Sequence, residues 1–424
     1  MNVLNWKQKL YSDESIEKIN LREYSPHMGT NLNSAYSDIN IEIQNQDQFL
    51  LPSDSFIYIE GKISKEDGNN FGQNDTIGFV NNGIMYLFDR IGYKINEKEI
   101  EGYSYPGQAT TMHSILKYPK NYPQGTKFAW LADQGKTFTN ISNKERRKFT
   151  TKDGNFSAVI PLSHLFGFSE NHQKVMYGVK HALTLRRSHD NDAIIKPETV
   201  NEDNNEDLVG SAKVTLSKIS WHMPHINLSD HSQLSLLSDI NNKVSLDIAF
   251  LSKQCERISL PQNSREMDWK LNITAGSERP RYIFLAFQSN RDNNQKVNPS
   301  NFDHLHISNV YVQLNSERYP EENLNIDFSK NHFSRLYKMA VDYHQNTGQS
   351  EAFAYAMEDF KDVYPIFVLD VSRQAERLKN TPIDVRIKAS FKENLQNDHV
   401  YAYAVILSDK IINLQSDGNK MIIY

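Results

Sequence analysis

Asn82-Gly83-Ile84-Met85-Tyr86-Leu87-Phe88-Asp89-Arg90-Ile91-Gly92-Tyr93-Lys94-Ile95-Asn96 begins as an apolar turn, settles into alternation and stops at an asparagine. The polar connection Asn96-Glu97-Lys98-Glu99 leads to a second run, Ile100 to Tyr103, so the pair reads as two antiparallel strands joined by a hairpin. Met112-His113-Ser114-Ile115-Leu116-Lys117-Tyr118 follows as an amphipathic helix. The same order of events occurs in the second half. There Pro299-Ser300-Asn301-Phe302-Asp303-His304 leads into Asn309-Val310-Tyr311-Val312-Gln313-Leu314-Asn315, with Phe333-Ser334-Arg335-Leu336-Tyr337-Lys338 beyond it. Further on, Phe156-Ser157-Ala158-Val159-Ile160-Pro161-Leu162 matches Tyr364-Pro365-Ile366-Phe367-Val368-Leu369-Asp370-Val371, and two alternating strands follow in both halves. Roughly half the chain separates Asn96 from Asn315, as a duplicated unit demands.

The size of the chain agrees with two domains: 424 residues and 49.0 kDa exceed the usual single core. Tyr and Phe contribute 21 residues each and Cys only one, so aromatic packing rather than disulfides must hold the fold together. The lone Cys255 reads as a small buried hydrophobe in a protein folded inside a cell. The net charge of -5 offers no basic arm for condensing nucleic acid, and no sequence-specific nucleic-acid binding is expected. The opening Met1-Asn2-Val3-Leu4-Asn5-Trp6-Lys7 lacks a signal-peptide apolar region, and no run approaches the roughly 18 apolar residues of a spanning helix.

Residues 1–30 read as a terminal arm, helix-compatible over 4–19 and closed by Pro26 and Gly29. Strands then dominate: Ile39, Ile41 and Ile43 alternate, Phe56, Tyr58 and Ile63 follow Pro52, and later runs fall at 156–161, 175–185 and 212–221. The segments 118–150 and 188–210 are polar insertions, the second carrying Glu198, Glu202, Asp203, Glu206 and Asp207. Ser229-Asp230-His231 starts an apolar-periodic stretch to Ile240, read as a capped helix between domains 31–228 and 229–424. Strands resume at 244–250, 269–273, 282–287, 310–314, 366–371, 385–391, 401–407 and 421–424, with helical patterns chiefly at 331–345 and 351–360. No strand-helix alternation persists, which favours an all-β pair of sandwiches or barrels over a doubly wound enzyme.

Few constellations suggest chemistry. Trp221-His222-Met223-Pro224-His225 would offer two metal ligands if His231 came near, but it lacks the helix and Glu of a metalloprotease, and Pro224 reads as a strand exit into the linker. His304 and His306 suit a packed or surface role. The acidic insertion contains Ca²⁺ ligand types without a Ca²⁺-loop spacing. Lys144-Glu145-Arg146-Arg147-Lys148 is the compact basic run and reads as a solvated face, while Arg186, Arg187, Lys94 and Lys98 read as ordinary strand and turn charges. There is no Gly-x-Ser-x-Gly elbow, no phosphate-binding Gly-x-x-x-x-Gly-Lys-Ser/Thr loop and no Gly-x-Gly-x-x-Gly, and the glycines near Gly68 and Gly72 precede no helix. No catalytic, cofactor or metal residue is assigned, and no enzymatic activity is expected.

The blocks FSAVIPLSHLFGF (156–168), VMYGVKHALTLRRSHDNDAII (175–195), AKVTLSKISWHMPHI (212–226) and NPSNFDHLHISNVYVQLNSERYP (298–320) resemble double jelly-roll major capsid proteins. They are most similar to adintovirus-like and Polinton-like coat proteins, over most of the chain from about Ile39. The resemblance implies two tandem eight-stranded antiparallel jelly rolls standing upright in an icosahedral DNA-virus shell. Three subunits would form a pseudo-hexagonal capsomer, with 118–150 and 188–210 rising on the outer face as its tower. It implies a protein of the virion, assembled inside the host cell, whose partners are further copies of itself, minor capsid proteins and vertex (penton) proteins, with an inner contact through the arm. Two other classes stay open: a carbohydrate- or receptor-binding jelly roll using Phe128, Trp130 and Phe138, and a jelly-roll glycoside hydrolase needing two carboxylates roughly 5 to 9 Å apart.

Overall fold

The computed structural model describes residues 15–44, 47–71, 77–119, 122, 125–136, 141–196, 211–242, 245–272, 278–349, 351–374, 383–416 and 421–423. The first half holds strands β1 (Ile16–Tyr24), β2 (Asp38–Ile43), β3 (Phe49–Leu50), β4 (Phe56–Lys65), β5 (Gly78–Phe79), β6 (Phe88–Ile95), β7 (Lys98–Ser104), β8 (Asn155–Pro161), β9 (His181–Arg187), β10 (Ile194–Ile195) and β11 (Ala212–Leu228). Its helices are α1 (Pro106–Lys117), α2 (Ile141–Arg146), α3 (Leu162–Leu165) and α4 (Gly167–Asn171). Helix α5 (Asp230–Asn241) leads to β12 (Ser245–Leu260), β13 (Glu266–Lys270), β14 (Arg279–Ser289), β15 (Ile307–Leu314), β16 (Glu317–Tyr319), β17 (Phe367–Asp370), β18 (Val385–Phe391), β19 (Val400–Ser416) and β20 (Met421–Ile423). Helices α6 (Ser334–Asn346) and α7 (Met357–Asp362) lie between β16 and β17.

Sheet order makes the duplication explicit. The first half forms antiparallel sheets β1-β11-β4-β8, with β3 also on β11, and β2-β9-β6-β7. The second forms β12-β19-β14-β17, with β20 on β19, and β13-β18-β15-β16. Substituting β12 for β1, β13 for β2, β14 for β4, β15 for β6, β16 for β7, β17 for β8, β18 for β9 and β19 for β11 turns one pair of sheets into the other. Each is the winding of an eight-stranded jelly roll. Helix α1 follows β7 as α6 follows β16.

The equivalence reaches single atoms. Asn96 and Asn315 both take left-handed backbone angles at the hairpin, φ 46° and 52°. The Asn96 side-chain oxygen accepts from Lys180 N–H (2.8 Å) and that of Asn315 from Asp384 N–H (3.0 Å). In return the Asn96 and Asn315 N–H groups donate to the Lys180 and Asp384 carbonyls. Lys180 and Asp384 each immediately precede the matching strand, so one asparagine ties the hairpin to its neighbour in both halves. Asn tolerates φ > 0 and brings its own acceptor, which explains its place at both turns.

Connections gather at two ends. The loops after β4, β7 and β9 meet through Val80 N–H to Ala193 O and Asn82 N–H to Ala129 O, and they join their second-half counterparts through Lys196 N–H to Gln295 O. The insertions 118–150 and 188–210 therefore start from the same end. At the other end Leu162 N–H meets Ser55 O, and β1 begins where β11 finishes, with Ile16 opposite Leu228. The linker helix α5 starts there too.

Burial follows the sheets. β9 and β18 alternate buried and half-buried residues, the pattern of a sheet with one covered face, whereas β19 holds an unbroken buried run from Ala402 to Leu407. Both its faces are covered because α1 packs on this sheet from the first half. All residues of α1 from Pro106 to Leu116 are buried, as expected of a helix enclosed on every side. Among the described residues no helix is long and apolar enough to cross a membrane.

Several local expectations are corrected. Residues 16–19, read as helix-compatible, belong to β1, where Ile19-Asn20-Leu21-Arg22-Glu23-Tyr24 alternates and pairs with β11; residues 1–14 lie outside the described residues. The strand expected at 175–185 starts only at His181, because Gly178 has φ 73° and breaks the run. Pro224 marks no exit, since β11 continues to Leu228. The helix expected at 351–360 is confined to α7.

Candidate functional site

The most elaborate polar construction in the described residues lies where the two halves meet, along the outer edge of β12. An edge strand leaves every second N–H and C=O without a ladder partner. Here the first half supplies the partners. Leu251 N–H donates to the Asn171 side-chain oxygen (2.9 Å) and Lys253 N–H to Glu101 Oε1 (2.9 Å). The Glu101 carboxylate also accepts from Gly167 N–H (3.1 Å) and Phe168 N–H (3.0 Å), so one buried carboxylate from β7 binds the start of α4 and the edge of β12 together.

Charge in this seam is compensated locally. Burial pushes the Glu101 carboxyl up, opposed by the Lys253 ammonium and the three backbone N–H groups. Burial lowers Lys253 to about 8, opposed by Glu101, and its ammonium reaches the carbonyls of His164 (3.4 Å) and Leu165 (3.2 Å). Gly167 is required by proximity alone: a Cβ there would stand 1.7 Å from the Leu251 carbonyl oxygen.

The seam continues around α1. His113 Nε2 lies 3.0 Å from the Tyr343 hydroxyl, and His344 Nδ1 lies 3.0 Å from Leu116 O. Burial holds His113 and His164 well below the usual imidazole range, so both are neutral spacers. Tyr86 donates to Pro299 O, the Tyr364 hydroxyl accepts from Asp133 N–H, and Arg257 sits 4.6 and 4.5 Å from the rings of Tyr105 and Tyr401. One hydrophobic cluster runs through both halves. The arrangement fixes the two rolls relative to each other; it presents no reactive group to solvent.

The sequence candidates are dispersed. His222 and His225 are three apart on a strand and so point to opposite faces. His222 stacks on Phe56 at 4.8 Å, while His225 lies 2.8 Å from the Tyr24 hydroxyl and is held at about 4 by burial. His231 is exposed on α5, so the three cannot share an ion. His304 stacks on Phe328 at 4.3 Å and packs edge-on against His306. Cys255 is buried and its thiol pushed up by burial, which removes nucleophilic character. The acidic insertion at 198–207, Phe138 and Gly72 lie outside the described residues.

Two readings need correction. Within Lys144–Lys148 the middle residue does not face water: Arg146 is buried, pairs with Asp133 (2.8 Å) and donates to the carbonyls of Phe79 and Leu131. Lys144, Arg147, Lys148 and Lys152 do line an open basic groove of about 390 Å³. The aromatics expected on an exposed loop are core residues instead. Phe128 is 0% and Trp130 5% exposed, packed against His164 and Tyr118, so neither offers a sugar-stacking platform.

Sequence reading took Arg187 for an ordinary strand charge, but it is buried and donates to Leu87 O, Ser188 O and Asp190. Sequence reading missed a group formed across the seam, in which ligand atoms of His189, Asp192 and Asp292 lie within 4.8 Å of one another. Asp192, pushed up to about 6 chiefly by burial, accepts from Asn293 N–H (2.8 Å), and Asp292 faces Arg257 (3.4 Å). These contacts account for the group as a loop-to-loop clasp.

Two jelly rolls in tandem, joined by a buried seam, define a double jelly-roll protein. A family model described as a double jelly roll-like domain matches residues 77–412, and the chain belongs to that family. No curated protein matches it by sequence. Among solved structures, the quasi-atomic model of the PBCV-1 virus capsid is similar over 98% of both chains, with 10% identity and a TM-score of 0.60. The cryo-EM structure of the Sputnik virophage is similar over 100% of this chain and 91% of its own, with 11% identity and a TM-score of 0.63. The crystal structure of the mavirus major capsid protein is similar over 99% and 94%, with 12% identity and a TM-score of 0.56. At these identities the likeness is one of fold.

Proposed function

We propose that this chain is the major capsid protein of a double-stranded DNA virus, a structural subunit of the virion shell rather than an enzyme. The observation that carries the reading is the seam: two equivalent rolls are locked side by side through Glu101, Gly167 and Lys253, so the monomer is already two sixths of a six-lobed ring. The similar structures, of a virus capsid, a virophage and a major capsid protein, support the same role.

In this reading the chain divides into two rolls at 228/229, the first taking in β1 as the counterpart of β12 and the second opening with α5. Three chains close into a pseudo-hexagonal capsomer, and capsomers tile an icosahedral lattice. Such contacts are heterologous and close by rotation, and obligate ones bury on the order of 2,000 Å² or more. The long-loop end faces outward as a tower. The end carrying the start of β1 and α5 faces inward, where minor capsid proteins meet it; vertex proteins fill the fivefold positions. The narrower kinship with adintovirus-like and Polinton-like viruses rests on the quoted sequence blocks. Mass photometry of the purified full chain tests the reading: a species at three times the 49.0 kDa chain mass is expected, and a monomer at every concentration refutes it.

A further inference from the structure

The seam uses the edge of β12, and β12 has a counterpart whose edge is open. Leu162 N–H donates to Ser55 O in the first roll as Val371 N–H does to Arg281 O in the second, which fixes Ile57 as the match of Ile283. Across the ladders Ile57 stands opposite Trp221, and Trp221 opposite Tyr24. Ile283 stands opposite Ile406, and Ile406 opposite Gln254. Leu21 and Glu23 of β1 are therefore the counterparts of Leu251 and Lys253 of β12, the two residues whose N–H groups the first roll captures.

The direction of these groups on β1 is fixed independently. Leu21 stands opposite Pro224, and the Pro224 carbonyl turns away from β1 to accept from Leu51 N–H (3.1 Å). The pair Leu21–Pro224 is thus a non-hydrogen-bonded one, and Leu21, with Ile19 and Glu23 two residues either side, turns its N–H and C=O to the outer edge. That edge carries no strand among the described residues. Between its charged residues it exposes two large apolar side chains, Ile19 at 57% and Leu21 at 52%.

We propose that the outer edge of β1, centred on Leu21 and Glu23, is the intersubunit contact, and that its occupant is the second roll of another copy of this chain. The neighbour presents the side that carries β16 and the end of β17, the counterparts of the β7 and β8 side that grips β12 within the chain. A chain with one such contact satisfied internally and its duplicate open at each end is a head-to-tail unit, and repeating the contact closes a ring. The inference rests on the trimer reading and adds which strand makes the joint.

The test is Leu21→Pro in the full chain, which removes an outward N–H that the β1–β11 ladder does not use. The expected result is a shift from three-chain to one-chain mass by mass photometry, with the urea midpoint measured at single-chain concentration unchanged. Retention of the three-chain mass by Leu21→Pro overturns the edge assignment and leaves the trimer reading standing; wild-type protein at one-chain mass overturns both. Should the variant fail to fold, hydrogen exchange on the wild type decides. Slow exchange at Leu21 and Glu23 in the trimer, lost on dilution to single chains, is expected, and equal exchange in both states contradicts the proposal.

Discussion

At the residue scale the joint between the rolls and the paired turns rest on a few side chains that bind backbone across large sequence distances. Glu101→Gln replaces an acceptor with a donor against one of three buried N–H groups, and a loss of about 2 to 4 kcal/mol in urea unfolding is expected. The paired turns give a twin prediction: Asn96→Ala and Asn315→Ala should each lose about 1 to 2 kcal/mol, alike within error, because each removes the same bond and the same tolerance of φ > 0. Asp192 provides a pH test. With its folded pKa raised to about 6 from 3.8, it is neutral in both states at low pH, and as pH rises the unfolded carboxyl ionises first. Its stability contribution is therefore present below about pH 4 and lost by about pH 6. Asp192→Asn should gain about 2 to 3 kcal/mol on wild type between pH 4 and pH 7 in urea titrations, and a constant difference would contradict the assignment. Asn96 and Asn315 were legible from sequence because hairpin signals are local. Glu101 and Lys253 were not, since their partnership spans 152 residues and a lone Glu in a strand carries no mark of it.

At the element scale, alternation located most strands, and order located the repeat. It failed where tertiary contact decides. The 118–150 segment looks polar, yet Phe128, Trp130 and Arg146 anchor it to the core, and the polar Asp133 and Asn143 are buried with them. β1 was obscured by its place in a polar arm, although Ile19 and Leu21 alternate. The contact between α4 and β12 is the element pair most sensitive to volume. Gly167→Ala should force the Leu251 carbonyl away and part the seam, lowering the urea midpoint by the equivalent of about 3 kcal/mol or more and exposing β12 to protease. A variant as stable as wild type would mean that α4 moves freely and the rolls are not held there.

At the scale of the whole molecule, two matching rolls and one internal joint make a unit that is asymmetric in chain but nearly symmetric in outline. Composition anticipated this in part: a Tyr- and Phe-rich chain with one cysteine must cohere through packing, and the cluster that spans both rolls is built that way. What no sequence pattern conveyed is that β1, the counterpart of the strand gripped inside the chain, carries no strand on its outer edge among the described residues. Cryo-electron microscopy of the purified full chain shows whether three chains close into a ring. Ring closure predicts particles of three chains that show six lobes of similar size in a hexagonal outline down the threefold axis. Particles that hold only the two lobes of a single chain, or that join chains without closing a ring, would contradict it.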